Sequence, residues 1–529
     1  MSIQSHYLVG LATLVLLGSE SVAFTQLTDV TQTPNAANAG IQKSFMEEVS
    51  AGRGDVLSPG TSQYLIQRDP FRSIVRGRQL FQRKFRVAHG LGPRTGDGLG
   101  DIANDGSIGA GLSDSCASCH SRPLGSAGFG GNVFTRPDSR DTPHLFGLGL
   151  QEMLADEIST ELRHLRTRAS HVAALGGQPF VVPLRSKGVD YGSITAMPDG
   201  TFDTSQVDGV DPDLRVRPFF AEGSTISIRE FVVGALNAEM GVEAPDTDML
   251  SAYNGQDVRT PSGFLLSGSR DNIEPPPVAS ATEDSDFDGV VNEMPMAGVD
   301  HLEFYLLNYF KPGRGRITNN VRRGEGTFEE IGCAVCHIPD MLIKSDRRVA
   351  DVETEFNAND SNGVFNSLFA TAVPLYTEFD DGSGLPLLRK PNRSSFLVEA
   401  IYTDFKRHDL GPNFWERNFD GTLQKEFMTE ALWGVANSPP YGHDGRSGTL
   451  DEVIRRHGGD ASAQAMSYAN LNGGERRNLL DFLSTLVLFA PPDTASNLNP
   501  ADRNHPDFPI ESHGSIDLSP LFLDPMDKE

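Results

Sequence analysis

Two strings of five residues, CASCH at 116–120 and CAVCH at 333–337, decide how this chain is organised. Each has the form C-x-x-C-H, the attachment signature of a c-type haem, in which two cysteine sulfurs bond the porphyrin and the histidine binds the iron. The chain has 529 residues and four cysteines, and all four lie in these strings. The sequence therefore predicts two covalently attached haem c groups. Their attachment residues and proximal iron ligands are Cys116, Cys119 and His120 for the first haem, and Cys333, Cys336 and His337 for the second.

Two other uses of C-x-x-C pairs are a structural zinc site and a thioredoxin-like redox couple. Cys119 and Cys333 lie much farther apart in sequence than the two cysteine pairs of a zinc ribbon. A redox couple gives no reason for a histidine directly after each pair. Haem attachment accounts for both features.

The N-terminus predicts export. Residues 7–18 form a short apolar run, and Ser21-Val22-Ala23 has the small-x-small pattern of a cleavage site, so residues 1–23 are predicted to be a signal peptide of a periplasmic or secreted protein. The run is too short for a comfortable membrane span, although an uncleaved anchor is the alternative. The formal charge of −26, from 45 basic and 71 acidic residues, argues against binding nucleic acid and suits a basic electron-transfer partner.

A repeat precedes the two motifs. The pattern R-G-x-x-x-F occurs at 76–81 and at 323–328, and a helix of this kind followed by C-x-x-C-H is typical of a class I cytochrome c domain. The amphipathic segment 473–489 is predicted to be the closing helix of the second domain. The predicted fold is mainly α, with two class I cytochrome c-like domains, the first interrupted by a long, mixed, loop-rich insertion that includes a turn-rich stretch at 183–215. The predicted order is a signal peptide (1–23), an N-terminal extension (24–64), a first domain with insertion (65–305), a second domain (306–492) and a C-terminal tail (493–529).

An acidic loop, DSDFDGVVNE at 284–293, has the D-x-D-x-D-G spacing of calcium loops. Pro295 stands where a standard EF-hand has a glutamate, so a standard EF-hand is excluded. The sequence leaves two readings, a looser calcium site formed by Asp284, Asp286 and Asp288, or a solvated acidic turn.

Further motifs carry a resemblance to a known family. They are TPHLFGLGL at 142–150, FKRHD at 405–409, ALWGV at 431–435 and YGHDGR at 441–446. With the two haem motifs they resemble the bacterial di-haem cytochrome c peroxidase superfamily, and most closely its di-haem oxidoreductase branch, whose members are also called thiol oxidoreductases or peroxidases. The resemblance implies an exported enzyme that reduces peroxide with electrons from a small cytochrome or cupredoxin. The alternatives are a dioxygenase of the rubber-oxygenase type, which uses oxygen, and a non-enzymatic di-haem electron carrier.

The resemblance also implies iron ligands. In the family the distal ligand of the second haem follows the H-D-G turn at a fixed spacing, which falls here on His457, so the second haem is predicted to be bis-histidine; His408 is the competing ligand. His443, in the turn itself, is predicted to be structural. Residues 121–143 contain no histidine, so the first haem is either open or bound by His144.

Peroxide chemistry needs an acid/base group beside the iron, and the superfamily uses a glutamate. Glu152 is the predicted catalytic residue, with an ordinary helix carboxylate as the alternative. Trp433 is predicted either to assist electron transfer between the haems or to pack in the core.

Overall fold

The structure is a computed structural model that describes residues 52–92, 113–123, 125–133, 138, 140–355, 367–418 and 420–488, together with positions 45, 49, 523 and 524. The predicted signal peptide lies outside these residues, as do most of the predicted N-terminal extension and almost all of the predicted tail. Those boundaries stay predictions. No helix within the described ranges is both long enough and apolar enough to cross a membrane.

Helices lie before and after each haem motif. In the described residues they are α1 (Ser62–Arg68), α2 (Pro70–Gln82), α3 (Cys116–Cys119), α4 (Leu148–Gly176), α5 (Ile228–Met240), α6 (Thr247–Tyr253), α7 (Met296–Asn308), α8 (Asn319–Glu330), α9 (Leu450–Arg456), α10 (Ser462–Asn470) and α11 (Gly473–Leu483).

Strands occupy most of the intervals between those helices. They are β1 (Asn132–Val133), β2 (Arg140–Asp141), β3 (Phe180–Ser186), β4 (Val189–Ala196), β5 (Phe202–Asp203), β6 (Asp257–Arg259), β7 (Leu265–Ser267), β8 (Gly313–Arg314), β9 (Met341–Ile343), β10 (Ala350–Glu355), β11 (Ser367–Pro374), β12 (Tyr376–Phe379), β13 (Leu388–Pro391), β14 (Phe396–Val398), β15 (Arg407–Asp409), β16 (Glu416–Arg417), β17 (Leu423–Gln424), β18 (Glu426–Met428) and β19 (Leu486–Val487). All the pairings described are antiparallel: β3, β4 and β5 form one three-stranded sheet, and the other strands form two-stranded sheets.

The prediction of a mainly α fold with two class I cytochrome c-like domains is wrong. Helices hold 35% of the described residues and strands 16%, in several small sheets. Ten strands, β9 to β18, lie between the second haem motif and α9, a region to which the sequence pattern assigned no elements. The stretch 183–215, predicted to be turn-rich, contains most of the three-stranded sheet. Most of the strands have only two or three residues, too few for alternation of apolar and polar side chains to reveal them.

The repeat R-G-x-x-x-F has a structural explanation. Each copy lies in a helix, α2 or α8, that crosses a later helix at the glycine of the repeat. A Cβ atom on Gly77 would lie 2.2 Å from the carbonyl oxygen of His301 in α7, and one on Gly324 would lie 1.8 Å from that of Asn478 in α11. Glycine at these positions lets the two backbones approach more closely than any side chain would allow.

The described residues form four buried apolar clusters, of which three are large. The largest joins α2, α5 and α7, the second joins α4 to the β3–β4 hairpin, and the third joins α8 to α11. Each haem motif contributes a cysteine and an alanine to the edge of a cluster, the first motif to the largest cluster and the second to the third. The two motifs are thus held by different parts of the core.

Candidate haem sites

The first motif forms a single helical turn, α3, closed by a hydrogen bond of 3.0 Å from the His120 amide to the Cys116 carbonyl oxygen. The His120 imidazole donates from Nδ1 to the carbonyl oxygen of Pro143 at 2.8 Å. Because a carbonyl can only accept, Nδ1 carries the proton and Nε2 keeps the lone pair that a metal needs. Burial lowers the pKa of His120 to about 4, so the ring is neutral.

The second motif repeats this arrangement. The His337 amide donates to the Cys333 carbonyl oxygen at 3.0 Å, and His337 Nδ1 donates to the carbonyl oxygen of Tyr402 at 2.9 Å. Burial, with the proximity of His457, lowers the pKa of His337 to about 4. Both motif histidines are therefore neutral, oriented by a backbone carbonyl and ready to ligate through Nε2.

The phenylalanine of each repeat packs beside the histidine of the motif that follows. The ring centroids of Phe81 and His120 lie 6.2 Å apart, and those of Phe328 and His337 lie 6.0 Å apart. The repeat thus supplies a glycine for the helix crossing and an aromatic wall for the imidazole. Both haem sites are built by the same sequence pattern.

A cavity that is partly open to solvent adjoins the first motif. Cys116, Cys119 and His120 line it, so the two cysteines and the histidine of the motif border one space. Most of the remaining lining is apolar and comes from Phe81, Leu145, Phe231, Val232, Ala235, Leu302 and Leu306. The apolar lining is typical of a cofactor site, and the residues present fit a covalently held haem.

Glu239 is the carboxylate among the described residues that line this cavity. It lies on α5, whose face toward the cavity also carries Val232 and Ala235 at helical spacing, and the buried Met240 adjoins it. Among the described lining residues, no histidine other than His120 occurs. The sequence analysis missed Glu239 because only the packing of α5 against the haem loop brings it there.

Glu152, the predicted catalytic residue, is placed elsewhere. It is buried, its Oε2 accepts a hydrogen bond from Arg347 at 2.6 Å, and its Oε1 accepts from the amide of Ile228 at 2.8 Å. Burial raises the pKa of Glu152, and the Arg347 guanidinium opposes that rise. Glu152 is not among the lining residues of the cavity; it binds the first turn of α5, where a carboxylate is favoured by the helix dipole.

His144, the predicted alternative ligand of the first haem, has both ring nitrogens engaged. Nε2 donates to the carbonyl oxygen of Trp433 at 2.6 Å, and Nδ1 accepts from the amide of Phe146 at 3.2 Å. This arrangement leaves His144 no lone pair for iron. Its contact with Trp433 instead ties the segment next to the first motif to the second half of the chain.

Trp433 lies at that junction. Its side chain is buried, its Nε1 donates to the carbonyl oxygen of Glu399 at 3.3 Å, and its ring covers Gly147, where a Cβ would lie 2.6 Å from the indole. The next residue toward the N-terminus, Leu432, packs against the cluster that holds the second motif. Since Pro143 binds His120 and His144 binds Trp433, a short chain of bonded residues links the two haem sites.

The two candidate ligands of the second haem have different surroundings. His457 donates from Nδ1 to the carbonyl oxygen of Val453 at 2.7 Å, which leaves Nε2 for a metal, and burial lowers its pKa. His408 bonds Asp404 through Nε2 at 2.9 Å, and its Nδ1 lies 3.7 Å from Asp460. Burial opposes protonation of His408, but its hydrogen bonds to Asp404 and to the sulfur of Cys336 raise its pKa to about 10. His408 thus lies beside the second motif, with its Nε2 engaged by Asp404.

His443 lies in the turn at 441–446, buried against Phe427 with ring centroids 3.9 Å apart and planes at 18°. Its carbonyl oxygen accepts from the amide of Asp141 at 2.9 Å, and its Nε2 lies 3.7 Å from Glu416. These contacts are those of a histidine that holds a turn against the segment before Pro143.

The acidic loop brings its three aspartates together, with one carboxylate oxygen of each of Asp284, Asp286 and Asp288 within 4.8 Å of the others. Two glutamates also approach Asp286 within this distance: Glu293, at the end of the acidic loop, and Glu243, from a separate part of the sequence. Neither was among the predicted calcium ligands.

Two attachment motifs, each with an oriented neutral histidine, give this chain two candidate haem sites. A family model described as "Di-haem oxidoreductase, putative peroxidase" matches residues 390–486. The match includes Trp433, the turn at 441–446 and both His408 and His457, and it confirms the predicted resemblance to the di-haem oxidoreductases. Similarity to a di-haem family implies haem cofactors. No curated protein matches the chain.

Proposed function

We propose that this protein is an exported di-haem c-type oxidoreductase that reduces peroxide at the first haem with electrons received through the second. The observation that most supports this proposal is that the two sites differ. The second motif has a further histidine, His457, oriented for ligation, whereas the first motif faces an apolar cavity whose described lining adds no imidazole to His120. One site is suited to electron transfer and the other to a small substrate.

At the second site, His337 and His457 lie close enough that a charge on one disfavours protonation of the other. Each donates Nδ1–H to a backbone carbonyl, so each presents Nε2. Two imidazole ligands favour ferric iron and lower the reduction potential relative to a methionine ligand. The salt bridge of His408 with Asp404 supports His457 as the second ligand.

At the first site, bound haem would supply an iron centre able to bind peroxide. The chain itself contributes the proximal His120, an apolar wall that limits water, and Glu239 as a group able to accept and return a proton. Glu239 is the better candidate than Glu152, because Glu239 lines the cavity that both motif cysteines and His120 border, whereas Glu152 does not.

Electrons would pass between the sites through the segment around Trp433. Hydrogen bonds from His120 to Pro143 and from His144 to Trp433 give this segment a bonded connection to the first site. The net charge of −26 favours a basic cytochrome or cupredoxin as donor. The predicted signal peptide would deliver the chain to the periplasm, where haem is attached.

The test is peroxide turnover by the purified di-haem protein, with a reduced small cytochrome as donor, in wild type, Glu239→Gln and Glu152→Gln. Loss of a positioned acid/base group costs about 10²–10⁴-fold in rate. We expect that loss of kcat/KM for Glu239→Gln at unchanged haem content, and a change of a few-fold at most for Glu152→Gln. The opposite pattern would assign the role to Glu152, and wild-type protein that does not consume peroxide would refute the proposed function.

A further inference from the structure

Five carboxylates converge beside the first haem cavity without a cation among the described residues. Asp284, Asp286 and Asp288 come from the acidic loop, Glu293 is the last residue of that loop, and Glu243 lies just beyond the end of α5. One oxygen each of Glu243, Asp286 and Glu293 lie within 4.8 Å of one another, as do one oxygen each of the three aspartates. The two groups share Asp286, so they form one acidic cluster.

Three of these carboxylates are buried and have an oxygen without a hydrogen-bond partner. The atoms are Oε2 of Glu243, Oδ2 of Asp288 and Oε1 of Glu293, in residues that are 3%, 4% and 2% exposed. A buried carboxylate oxygen without a partner is strongly unfavourable, and buried charges in native proteins are paired or bind a metal. In the described part of the chain, no lysine or arginine forms an ion pair with any of the five. These buried oxygens without a hydrogen-bond partner indicate a site for a cation.

The charges of the cluster also favour a cation. Carboxylates this close together repel one another, and a divalent cation among them would offset that repulsion.

The backbone of the loop has the form that calcium sites use. Gly289, directly after Asp288, has φ +88°, the sharp turn found at the sixth position of D-x-D-x-D-G loops. The amides of Asp288 and Gly289 donate to Asp284 Oδ1 and Oδ2, each at 3.1 Å, which folds the loop around its carboxylates. Glu293 contributes the acidic residue that Pro295 cannot.

We propose that Glu243, Asp284, Asp286, Asp288 and Glu293 bind one Ca²⁺ ion that fixes the walls of the first haem cavity. Ca²⁺ takes six to eight oxygen ligands in flexible geometry, which suits several carboxylates from separate segments better than the strict octahedron of Mg²⁺ does. The part of this inference that concerns the cavity rests on the proposed function; the binding of calcium does not.

The link to the cavity runs through two helices. The amide of Glu243 donates to Glu293 Oε2 at 2.5 Å, and the amide of Met294 donates to the Glu243 carbonyl oxygen at 3.0 Å. Glu243 follows α5, which carries Glu239, and Met294 precedes α7, which carries Leu302 on the cavity wall. A cation on Glu243 and Glu293 therefore joins the end of one wall helix to the start of the other.

The binding test uses full-length di-haem protein that has been treated with a chelator and dialysed, titrated calorimetrically with Ca²⁺. We expect one site per chain with a dissociation constant below about 1 mM, weakened at least tenfold in Glu293→Gln and in Asp288→Asn. Asp199→Asn, which removes an exposed acidic loop residue, is the matched control and should bind as the wild type does. Wild-type protein that binds no Ca²⁺, or variants indistinguishable from the control, would overturn the site.

The coupling to the cavity is tested on the same preparations by the rate of cyanide binding to the ferric protein. Removal of Ca²⁺ is expected to change the cyanide kinetics of the first haem at least several-fold and to leave the low-spin spectrum of the second haem unaltered. Calcium binding with unchanged cyanide kinetics would overturn the coupling. Calcium binding in a protein without peroxide turnover would uphold the site while the proposed function fails.

Discussion

Alanine in place of Gly324 should separate the two helices that hold the second haem site, whereas alanine in place of Gly326, two residues along α8, should not. At Gly324 a Cβ would lie 1.8 Å from the carbonyl oxygen and 2.4 Å from the carbonyl carbon of Asn478. These are backbone atoms of α11, so no side-chain rotation relieves the clash. At Gly326 a Cβ meets no atom within 4 Å.

The two substitutions should change stability in opposite directions. Replacing a helix-interior glycine by alanine gains about 0.5–1 kcal/mol, which is the expected increase in the free energy of unfolding for Gly326→Ala. Overpacking a tight contact costs about 1–3 kcal/mol, and a clash with backbone lies toward the upper end. Gly324→Ala should therefore lower the free energy of unfolding by about 1–3 kcal/mol in spite of the better helix propensity.

The assay is guanidinium denaturation of the haem-loaded protein, followed by far-ultraviolet circular dichroism and by the Soret absorbance. Similar slopes with displaced midpoints would show that stability, rather than the compactness of the unfolded state, has changed. A Gly324→Ala protein as stable as wild type, or shifted in the same direction as Gly326→Ala, would refute the close crossing of α8 and α11.

Three further expectations follow from the site geometry. In absorption spectra of the ferric variants, His457→Ala should abolish the low-spin spectrum of the second haem and leave the first haem unchanged. His408→Ala should retain that low-spin spectrum. The reverse result would make His408 the ligand. Gly77→Ala would place a Cβ 2.2 Å from a backbone oxygen of α7. The substitution should destabilise the protein by about 1–3 kcal/mol in the same denaturation assay and should change the spectrum of the first haem. An unchanged first-haem spectrum would contradict this expectation. Burial raises the pKa of Glu230 to about 7, so the folded protein keeps a proton that the unfolded chain releases near pH 4.5. The free energy of unfolding should therefore fall as pH rises between these two values. Glu230→Gln should flatten that fall in denaturation midpoints measured from pH 4 to 8, and an unchanged slope would contradict the assignment.

Local pattern was enough to predict the two repeat helices and most of the closing helix, which was predicted for 473–489 but ends at Leu483 and is followed by β19. The glycine and phenylalanine of each repeat recur because each has one fixed neighbour, a crossing backbone or an imidazole. The short hairpins between 341 and 428 were missed, because strands of this length are specified by their partners and turns more than by their own sequence.

The candidate acid/base residue could not be identified from the sequence. Glu152 follows a family motif directly, but its neighbours Arg347 and Ile228 are far away in sequence and occupy its carboxylate. Glu239 carries no motif and reaches the cavity only because α5 packs beside the haem loop. The proposed calcium ligands divide in the same way, since the three aspartates share one loop while Glu243 joins them through tertiary structure.

If the two haems are unequal, electron paramagnetic resonance of the ferric di-haem protein should show one high-spin and one low-spin signal. Added cyanide should convert only the high-spin signal. Two low-spin signals that cyanide leaves unchanged would show two equivalent, closed haems and would make the protein an electron carrier.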